Sequence, residues 1–260
     1  MIKKLIHFSD LHIKLYKDHR RYREILKRCF KEWKELSPDR IVFTGDLVHS
    51  KNQITPELLD MVTWVLTQCV NICKTLVLIG NHDFLENNLE RLDTLSPIIS
   101  TMNNDNILYL KESGIVEDEN IMWVVYSLVN NNNKPIFIPN IAHTYIGLFH
   151  GPIQGLVTDM GFAFEDGYNI NGFKGCDVVL AGDIHKRQIV DIPDNKKGYM
   201  VGSLIQQNFG EGVKNHGYGI YDVKEDNYIF KDIENTSPYL NFKIKDIIDI
   251  ENEEEKLTNF

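Results

Sequence analysis

Five short polar signatures, each placed where a buried strand should end, constrain this chain more than any other feature. They are Asp10-Leu-His12, Gly45-Asp46-Leu-Val-His49, Gly80-Asn81-His82-Asp83, His150-Gly151 and Gly182-Asp183-Ile-His185. Each follows an apolar, β-rich run: Leu5 to Phe8, Ile41 to Phe43, Leu76 to Ile79, Ile146 to Phe149 and Val178 to Ala181. Near-continuous apolar runs of this kind read as strands covered on both faces. Ligands of α/β sheets gather at the carboxyl ends of such strands. The five loops are therefore expected to converge on one rim and bring together aspartates, an asparagine and several histidines from distant parts of the chain. That set suits two divalent metals sharing a bridging carboxylate, a device for cleaving phosphate esters.

The order of elements supports an α/β architecture. After the first strand, His19 to Leu36 has helical periodicity and stops at Ser37-Pro38. A strand over Arg40 to Asp46 precedes Thr55-Pro56-Glu57, an N-cap, a first-turn proline and an early acid that open a helix to about Cys73. After the third strand, Leu89 to Ser100 reads as helical, interrupted by Pro97. This alternation predicts parallel βαβ units. Further strands are expected at Ile107–Leu110, Ile121–Val129, Tyr145–Phe149, Val178–Ala181, Tyr199–Leu204, Tyr218–Val223 and Tyr228–Ile233. Their close spacing predicts an antiparallel second sheet, and two facing sheets with helices outside make a four-layer α/β-β/α sandwich. Gly151 to Gly175 is loop-rich and long enough to shape a substrate site. At 260 residues the chain suits one large domain, placed at 1–238. Residues 239–260, with a strand at Phe242–Ile248, read as the start of a second, truncated module or tail.

Hydrophobic and charged contents of 43% and 25% are those of a soluble globular protein. The longest apolar stretch, Ile121 to Val129, is too short to cross a bilayer. Asp10 and His12 interrupt any signal-like core behind Lys3 and Lys4. No membrane association is expected, and the default setting is the cytoplasm, or a host cytoplasm for a viral protein. Cys29, Cys69, Cys73 and Cys176 make neither a disulfide framework nor a zinc pattern and read as buried thiols. The net charge of −9 argues mildly against a protein that coats nucleic acid. Basic residues nevertheless flank the motifs: Lys14, Lys17, Arg20, Arg21 and Arg23 follow the first, Lys186 and Arg187 the last. Lys14, Arg20, Arg21, Lys186 and Arg187 are thus candidate substrate-binding residues for a phosphate polymer. The competing reading is a solvated helix face.

Singly, these motifs are weak; as an ordered set they resemble the calcineurin-like metallophosphoesterase superfamily, whose pattern runs Asp-x-His, Gly-Asp, Gly-Asn-His, a single His, then Gly-His-x-His. Gly45-Asp-Leu-Val-His49, Phe149-His-Gly-Pro152 and Gly202-Ser-Leu-Ile-Gln-Gln-Asn-Phe-Gly-Glu211 further resemble the SbcD-type nuclease subunits of DNA repair and recombination. The resemblance spans roughly residues 3–225. It implies one metal held by Asp10, His12, Asp46 and His185, and another by Asp46, Asn81, His150 and Asp183, with Asp46 bridging. His82 would stand beside the scissile phosphate and assist the leaving group, with His49 supporting His82 or the phosphate. Mixed histidine and carboxylate ligation suits Mn²⁺, with Mg²⁺, Fe²⁺ or Zn²⁺ as alternatives. Asp183 stands where imidazole is usual, adding a harder, charged ligand.

The activity implied is a Mn²⁺-dependent DNA nuclease, exonucleolytic on duplex ends and endonucleolytic on single strands. One alternative is hydrolysis of small phosphodiesters, nucleotides or phosphoproteins. Another is a non-catalytic scaffold of the same fold. The resemblance also implies DNA, an SbcC-type SMC-like ATPase and a second copy of the chain as partners. The homodimer would form through the helices at Thr55–Cys73 and Leu89–Ser100. The first of these carries Leu58, Leu59, Met61, Val62, Trp64, Val65 and Leu66, which could equally pack within one monomer. SbcD-type chains continue into a capping module, of which only the beginning is expected here.

Overall fold

The computed structural model describes residues 1–130 and 134–240. The expected strand at Phe242–Ile248 and nearly all of the tail lie outside these residues. Among the described residues, twelve strands and three α-helices follow in the order β1 (Lys4–Phe8), α1 (His19–Leu36), β2 (Arg40–Thr44), α2 (Pro56–Val70), β3 (Lys74–Leu78), α3 (Leu95–Met102), β4 (Ile107–Leu110), β5 (Gly114–Asp118), β6 (Ile121–Tyr126), β7 (Thr144–His150), β8 (Val178–Gly182), β9 (Gln188–Ile192), β10 (Lys196–Met200), β11 (Gly217–Asp222) and β12 (Asn227–Asp232).

The helices form for local reasons. In α1, Tyr22, Ile25, Leu26, Cys29, Phe30 and Trp33 are buried, the stripe that a 3.6-residue period turns to one side. The helix stops where Ser37 turns left-handed and its N–H donates to the Trp33 carbonyl at 3.1 Å. Thr55 caps α2 by accepting from the Leu58 N–H at 3.2 Å. The third helix begins later than the sequence suggests, because Asp93 accepts the N–H groups of Leu95 and Ser96 at 3.0 and 2.7 Å. Pro97 then falls in the first turn, where its missing N–H costs nothing, and does not interrupt the helix.

The strands make two six-stranded sheets, ordered β12-β11-β1-β2-β3-β4 and β5-β6-β7-β8-β10-β9. Strands β1 to β4 are parallel, and the β11–β12 hairpin adds antiparallel beside β1. The expectation of an antiparallel second sheet is corrected: β6, β7, β8 and β10 are parallel there, and only the edge strands β5 and β9 are antiparallel. Long crossovers separate β6 from β7 and β7 from β8, and parallel neighbours need such connections. The last two strands, expected in that second sheet, return to the first.

Leu5, Val42, Leu76 and Leu78 of one sheet pack against Trp123, Val125, Ile146, Leu148, Val178 and Leu180 of the other. The α-helices cover the outer face of the first sheet, where Phe8, Phe43, Trp33 and Met61 share a core. The second sheet is capped differently from the helices expected there. Phe164, Tyr168 and Phe173, from the 151–175 loop and its 3₁₀ turn (Ile170–Phe173), pack on Phe149 and Tyr126. On α2, Leu58, Met61, Val62, Val65 and Leu66 are buried, Trp64 is half-buried against Phe30, and Leu59 is exposed. Among the described residues no helix is long and apolar enough to cross a membrane.

A charged pair ties the two sheets together. Arg40 Nε and Nη2 donate to the two Asp118 oxygens at 2.8 Å each, and Trp123 Nε1 donates at 3.2 Å. Burial pushes the Asp118 carboxyl up, but Arg40 and Trp123 outweigh it and the net displacement is downward. A carboxyl that titrates lower in the folded chain contributes fully above its unfolded value of about 3.9, and loses that contribution as pH falls through the folded value. Asp118→Asn should therefore cost about 1–3 kcal/mol at pH 7 in urea unfolding. The gap from the parent should narrow as pH drops below about 3.9; a constant gap would show that the charge is not what counts.

Candidate metal centre

The carboxyl ends of β1, β2 and β3 in one sheet and of β7 and β8 in the other open on a single cleft. Its first two loops run side by side: Asp10 N–H donates to the Gly45 carbonyl at 3.1 Å, and His12 N–H to that of Asp46 at 3.0 Å. The second sheet is tied in by the Asp183 N–H, which lies 3.1 and 3.2 Å from the Asp10 carboxylate oxygens. Asp10, His12, Asp46 and Asp183 all have positive φ, at 54°, 45°, 61° and 101°. Strain of this kind, of order 1–3 kcal/mol each, collects at functional sites. Gly80 is required because a Cβ there would run into Asp46, and Gly45, at φ 99°, because one would run into the His150 ring.

Asp46 stands between two groups of side chains. Its Oδ2 is 3.4 Å from His12 Nε2, which lies 3.0 Å from His185 Nε2 and 3.8 Å from Asp10 Oδ1. Its Oδ1 is 3.3 Å from His150 Nε2, which lies 3.8 Å from Asp183 Oδ1 and 3.0 Å from the Asn81 carboxamide. Asp10, Asp46, His12 and His150 are all buried. Burial pushes Asp46 up, yet His150 and His12 outweigh it and hold the carboxyl well below the usual range. Burial opposes charge on His150, but Asp46 drives that ring well above its ordinary value. Burial raises Asp10 to about 6. His185 reaches about 9, because Glu211 and Asp10 outweigh its burial.

The donor set fits divalent cations. His150 Nδ1 lies 2.6 Å from the Thr44 carbonyl, which can only accept, so Nδ1 carries the proton and Nε2 can offer a lone pair inward. His185 Nδ1 likewise faces Glu211 Oε1 at 2.7 Å, turning its Nε2 toward His12. His12 Nδ1 is buried without a hydrogen-bond partner. With its amide nitrogen inward, Asn81 donates to Asp46 and His150; with its carbonyl inward it adds a ligand oxygen. Asp10-His12-His185 and Asp10-Asp46-His150 each bring their ligand atoms within 4.8 Å of one another, as does the trio His12-His49-His82. Imidazole and carboxylate lone pairs gathered so closely are met better by metal ions than by shared protons.

His82 is fixed beside this set. Its backbone N–H donates to Asp46 Oδ1 at 2.8 Å, and its Nδ1 bonds the His49 carbonyl at 3.0 Å. The two rings stack with centroids 5.7 Å apart, and the His82 ring is 4.6 Å from that of His12. His49 thus supports His82 through its backbone, while its own ring lines the cleft.

The basic residues divide. Lys14 lines the cleft with its ammonium 3.3 Å from Asp18. Arg20 pairs with Glu24 on the solvent side of α1, its side chain 94% exposed. Arg21 donates to the Gln206 carbonyl at 2.8 Å and stacks on Tyr239. Neither arginine lines the cleft; Arg20 lies on the wet face of an amphipathic helix and Arg21 serves as an internal clasp. Lys186 and Arg187 line an adjoining cavity.

Two supporting residues had no assigned role in the sequence. Asp83 is fully buried and accepts from the N–H groups of Gly80, Asp46, Leu47 and Val48 at 2.9–3.1 Å, locking the second and third loops together. Its place in Gly-Asn-His-Asp was the only available signal. Glu211 orients His185 and also accepts the Gln207 N–H at 2.8 Å. Carboxylates that orient a ligating imidazole matter almost as much as the ligands, so Glu211→Gln should weaken metal binding by about 10–100-fold. Metal content after equilibrium dialysis reads this directly, and unchanged affinity would leave Glu211 a loop brace only.

Residues 3–187 match the calcineurin-like phosphoesterase family model. The chain is 34% identical over 262 residues to an uncharacterized protein of Acanthamoeba polyphaga mimivirus; the match covers 94% of this chain and 19% of that protein, so the chain spans about a fifth of its relative's length. Two solved structures share the fold. TT1561 of Thermus thermophilus has a TM-score of 0.56 at 12% identity, covering 88% of this chain and 98% of that one. A dimetal phosphatase from Danio rerio has a TM-score of 0.55 at 13% identity, covering 92% and 98%. With the family model matched over most of the sequence and its strand ends folded onto one cleft, the chain belongs to the calcineurin-like phosphoesterase family.

Proposed function

We propose that the protein is a metal-dependent DNA nuclease that hydrolyses phosphodiesters, as an exonuclease on duplex ends and an endonuclease on single strands. The observation carrying this reading is the position of Gly202 to Glu211, the segment that resembles SbcD-type nucleases. It folds onto the metal-facing cluster: Glu211 holds His185, and Gln207 Nε2 donates to the Asp10 and Leu11 carbonyls at 3.3 and 3.0 Å. In this reading Asp10, His12, Asp46 and His185 hold one ion, and Asp46, Asn81, His150 and Asp183 the other. Two divalent ions so held would supply a water of lowered pKa and electrostatic stabilisation of the phosphate. Asp183, a carboxylate where imidazole is usual, favours the harder Mn²⁺ and Mg²⁺ over Zn²⁺.

The chain's own residues supply the proton. A carbonyl accepts from His82 Nδ1, so Nε2 is the nitrogen left to face the substrate. Protonated there, His82 delivers a proton to the departing alkoxide. The same reading gives the protein an SbcC-type SMC-like ATPase as a partner, a cytoplasmic setting, and a second copy docking through α2 and α3.

A second reading, hydrolysis of small phosphodiesters, nucleotides or phosphoproteins, is favoured by the net charge of −9 and by the internal engagement of Arg21. Rates with Mn²⁺ on end-labelled DNA and on bis(p-nitrophenyl) phosphate separate the two. Failure to cut DNA, or a strong preference for the small ester, would reverse the ranking.

A further inference from the structure

Three cavities adjoin one another at His185 beside the candidate metal centre. The cleft itself, about 360 Å³, is lined by His12, Asp46, His49, His82 and Lys14. A second cavity of about 270 Å³ shares Asp183, His185 and Asn208 with it and is walled by Met160 and Phe164 of the 151–175 loop. A third, about 420 Å³, shares Asp159 and His185 with the second and is lined by Lys186, Arg187 and Lys214. The chemistry therefore differs among them: metal-facing ligands in the first, Met160, Phe164 and Ile184 beside the carboxylates of Asp159, Asp183 and Glu211 in the second, and cations in the third.

The third cavity holds unspent donors. The ammonium groups of Lys186 and Lys214 make no hydrogen bond or ion pair among the described residues. Arg187 spends Nη1 on Asp232 and Nη2 on the Lys231 carbonyl, and its ring neighbour is Phe230. Its side chain is only 10% exposed, yet its buried Nε has no acceptor. Two unpaired lysines lining one cavity with the Arg187 guanidinium make it a positive place that suits an anion.

We infer that the substrate is a nucleic-acid strand carrying a second phosphate next to the scissile one: the scissile phosphate meets the metal-facing cluster, the intervening nucleoside lies against Met160 and Phe164, and the next phosphate is received by the ammonium groups of Lys186 and Lys214. This rests on the nuclease reading and names the part of the strand that the groove recognises. Bases stack on apolar and aromatic walls regardless of sequence, and backbone phosphates follow a positive groove. A small ester would fill only the first cavity. Asp159, exposed between the second and third, is the one carboxylate in the cationic cavity among the described residues.

The test compares the wild type with Lys186→Ala/Lys214→Ala; Arg187 is left in place because it also secures Asp232. Substrates are thymidine dinucleotides with a phosphate at the 5′ end, at the 3′ end or at neither, together with bis(p-nitrophenyl) phosphate. The wild type should prefer one phosphate-bearing dinucleotide, and the double variant should lose that preference by about five- to tenfold, as for two solvent-accessible ion pairs. In fluorescence anisotropy with a labelled single-stranded oligonucleotide, the slope of log affinity against log salt should fall by about 0.7, one phosphate contact. A wild type that cleaves DNA with no preference for a terminal phosphate, or a variant that keeps the preference, overturns the groove assignment and leaves the nuclease standing. A wild type active on the ester but inert on every nucleotide overturns both.

Discussion

Asp46→Ala should release both metal ions together and cut phosphodiester hydrolysis by at least about 10³-fold, the scale of losing a main electrostatic element at a reacting group. Both oxygens are in use: Oδ1 faces His150 and accepts the His82 N–H, while Oδ2 faces His12. Removing the carboxylate leaves two imidazole groups with no anion between them and also frees the turn that carries His82. Asp46→Asn separates these effects. It retains an oxygen for the His82 N–H but lacks the charge, so it should hold the turn and still lose metal. Elemental analysis after metal loading and desalting, beside turnover, reads both quantities. An alanine variant that keeps one tightly bound ion per site and a tenth of the activity would rule out the bridging role.

His82→Ala should behave differently. Its ring hangs from the turn that presents Asn81 and is oriented by the His49 carbonyl, so metal content should stay near that of the wild type. Turnover on DNA should fall by about 10²–10⁴-fold, the range for a lost general acid. The deficit should shrink on bis(p-nitrophenyl) phosphate, because a nitrophenolate departs without a proton. Equal deficits on both substrates, or metal loss in step with activity, would show that His82 acts in some other way.

The legibility of this site in the sequence follows from the range of the forces involved. Strands β1, β2 and β3 were readable because each is an apolar run ended by glycine or a polar turn. Helices α1 and α2 were readable because period and caps are local, down to Thr55 and Ser37. The polar residues after those strands had to meet once the strands were parallel. Pairing in the second sheet was not readable, since antiparallel and parallel strands look alike when the crossovers are irregular loops. Strands β5 and β9 alternate half-buried and exposed positions at sheet edges, too weak a pattern to stand out. Glu211 gave no local sign because its partner is distant in sequence, and His49 acts on His82 through a carbonyl that every residue has. The charge cluster after the first motif left two readings open for a similar reason: sequence gives the sign of Lys14, Arg20 and Arg21 but not their partners.

The left-handed backbone at Asp10, His12, Asp46 and Asp183 bears on how the site can change. Outside glycine, the residue types that tolerate such a conformation best are Asp, Asn and His. These are also donors from which a mixed divalent site is made. Backbone handedness and metal chemistry thus select from the same short alphabet, so exchanges among these residues change donor hardness while the loops keep their course. Asp183, at φ 101° in a position where imidazole is usual, is such an exchange. Single codon changes could move this centre among metals, whereas glutamate or cysteine, equally able to ligate, would first have to overcome the backbone.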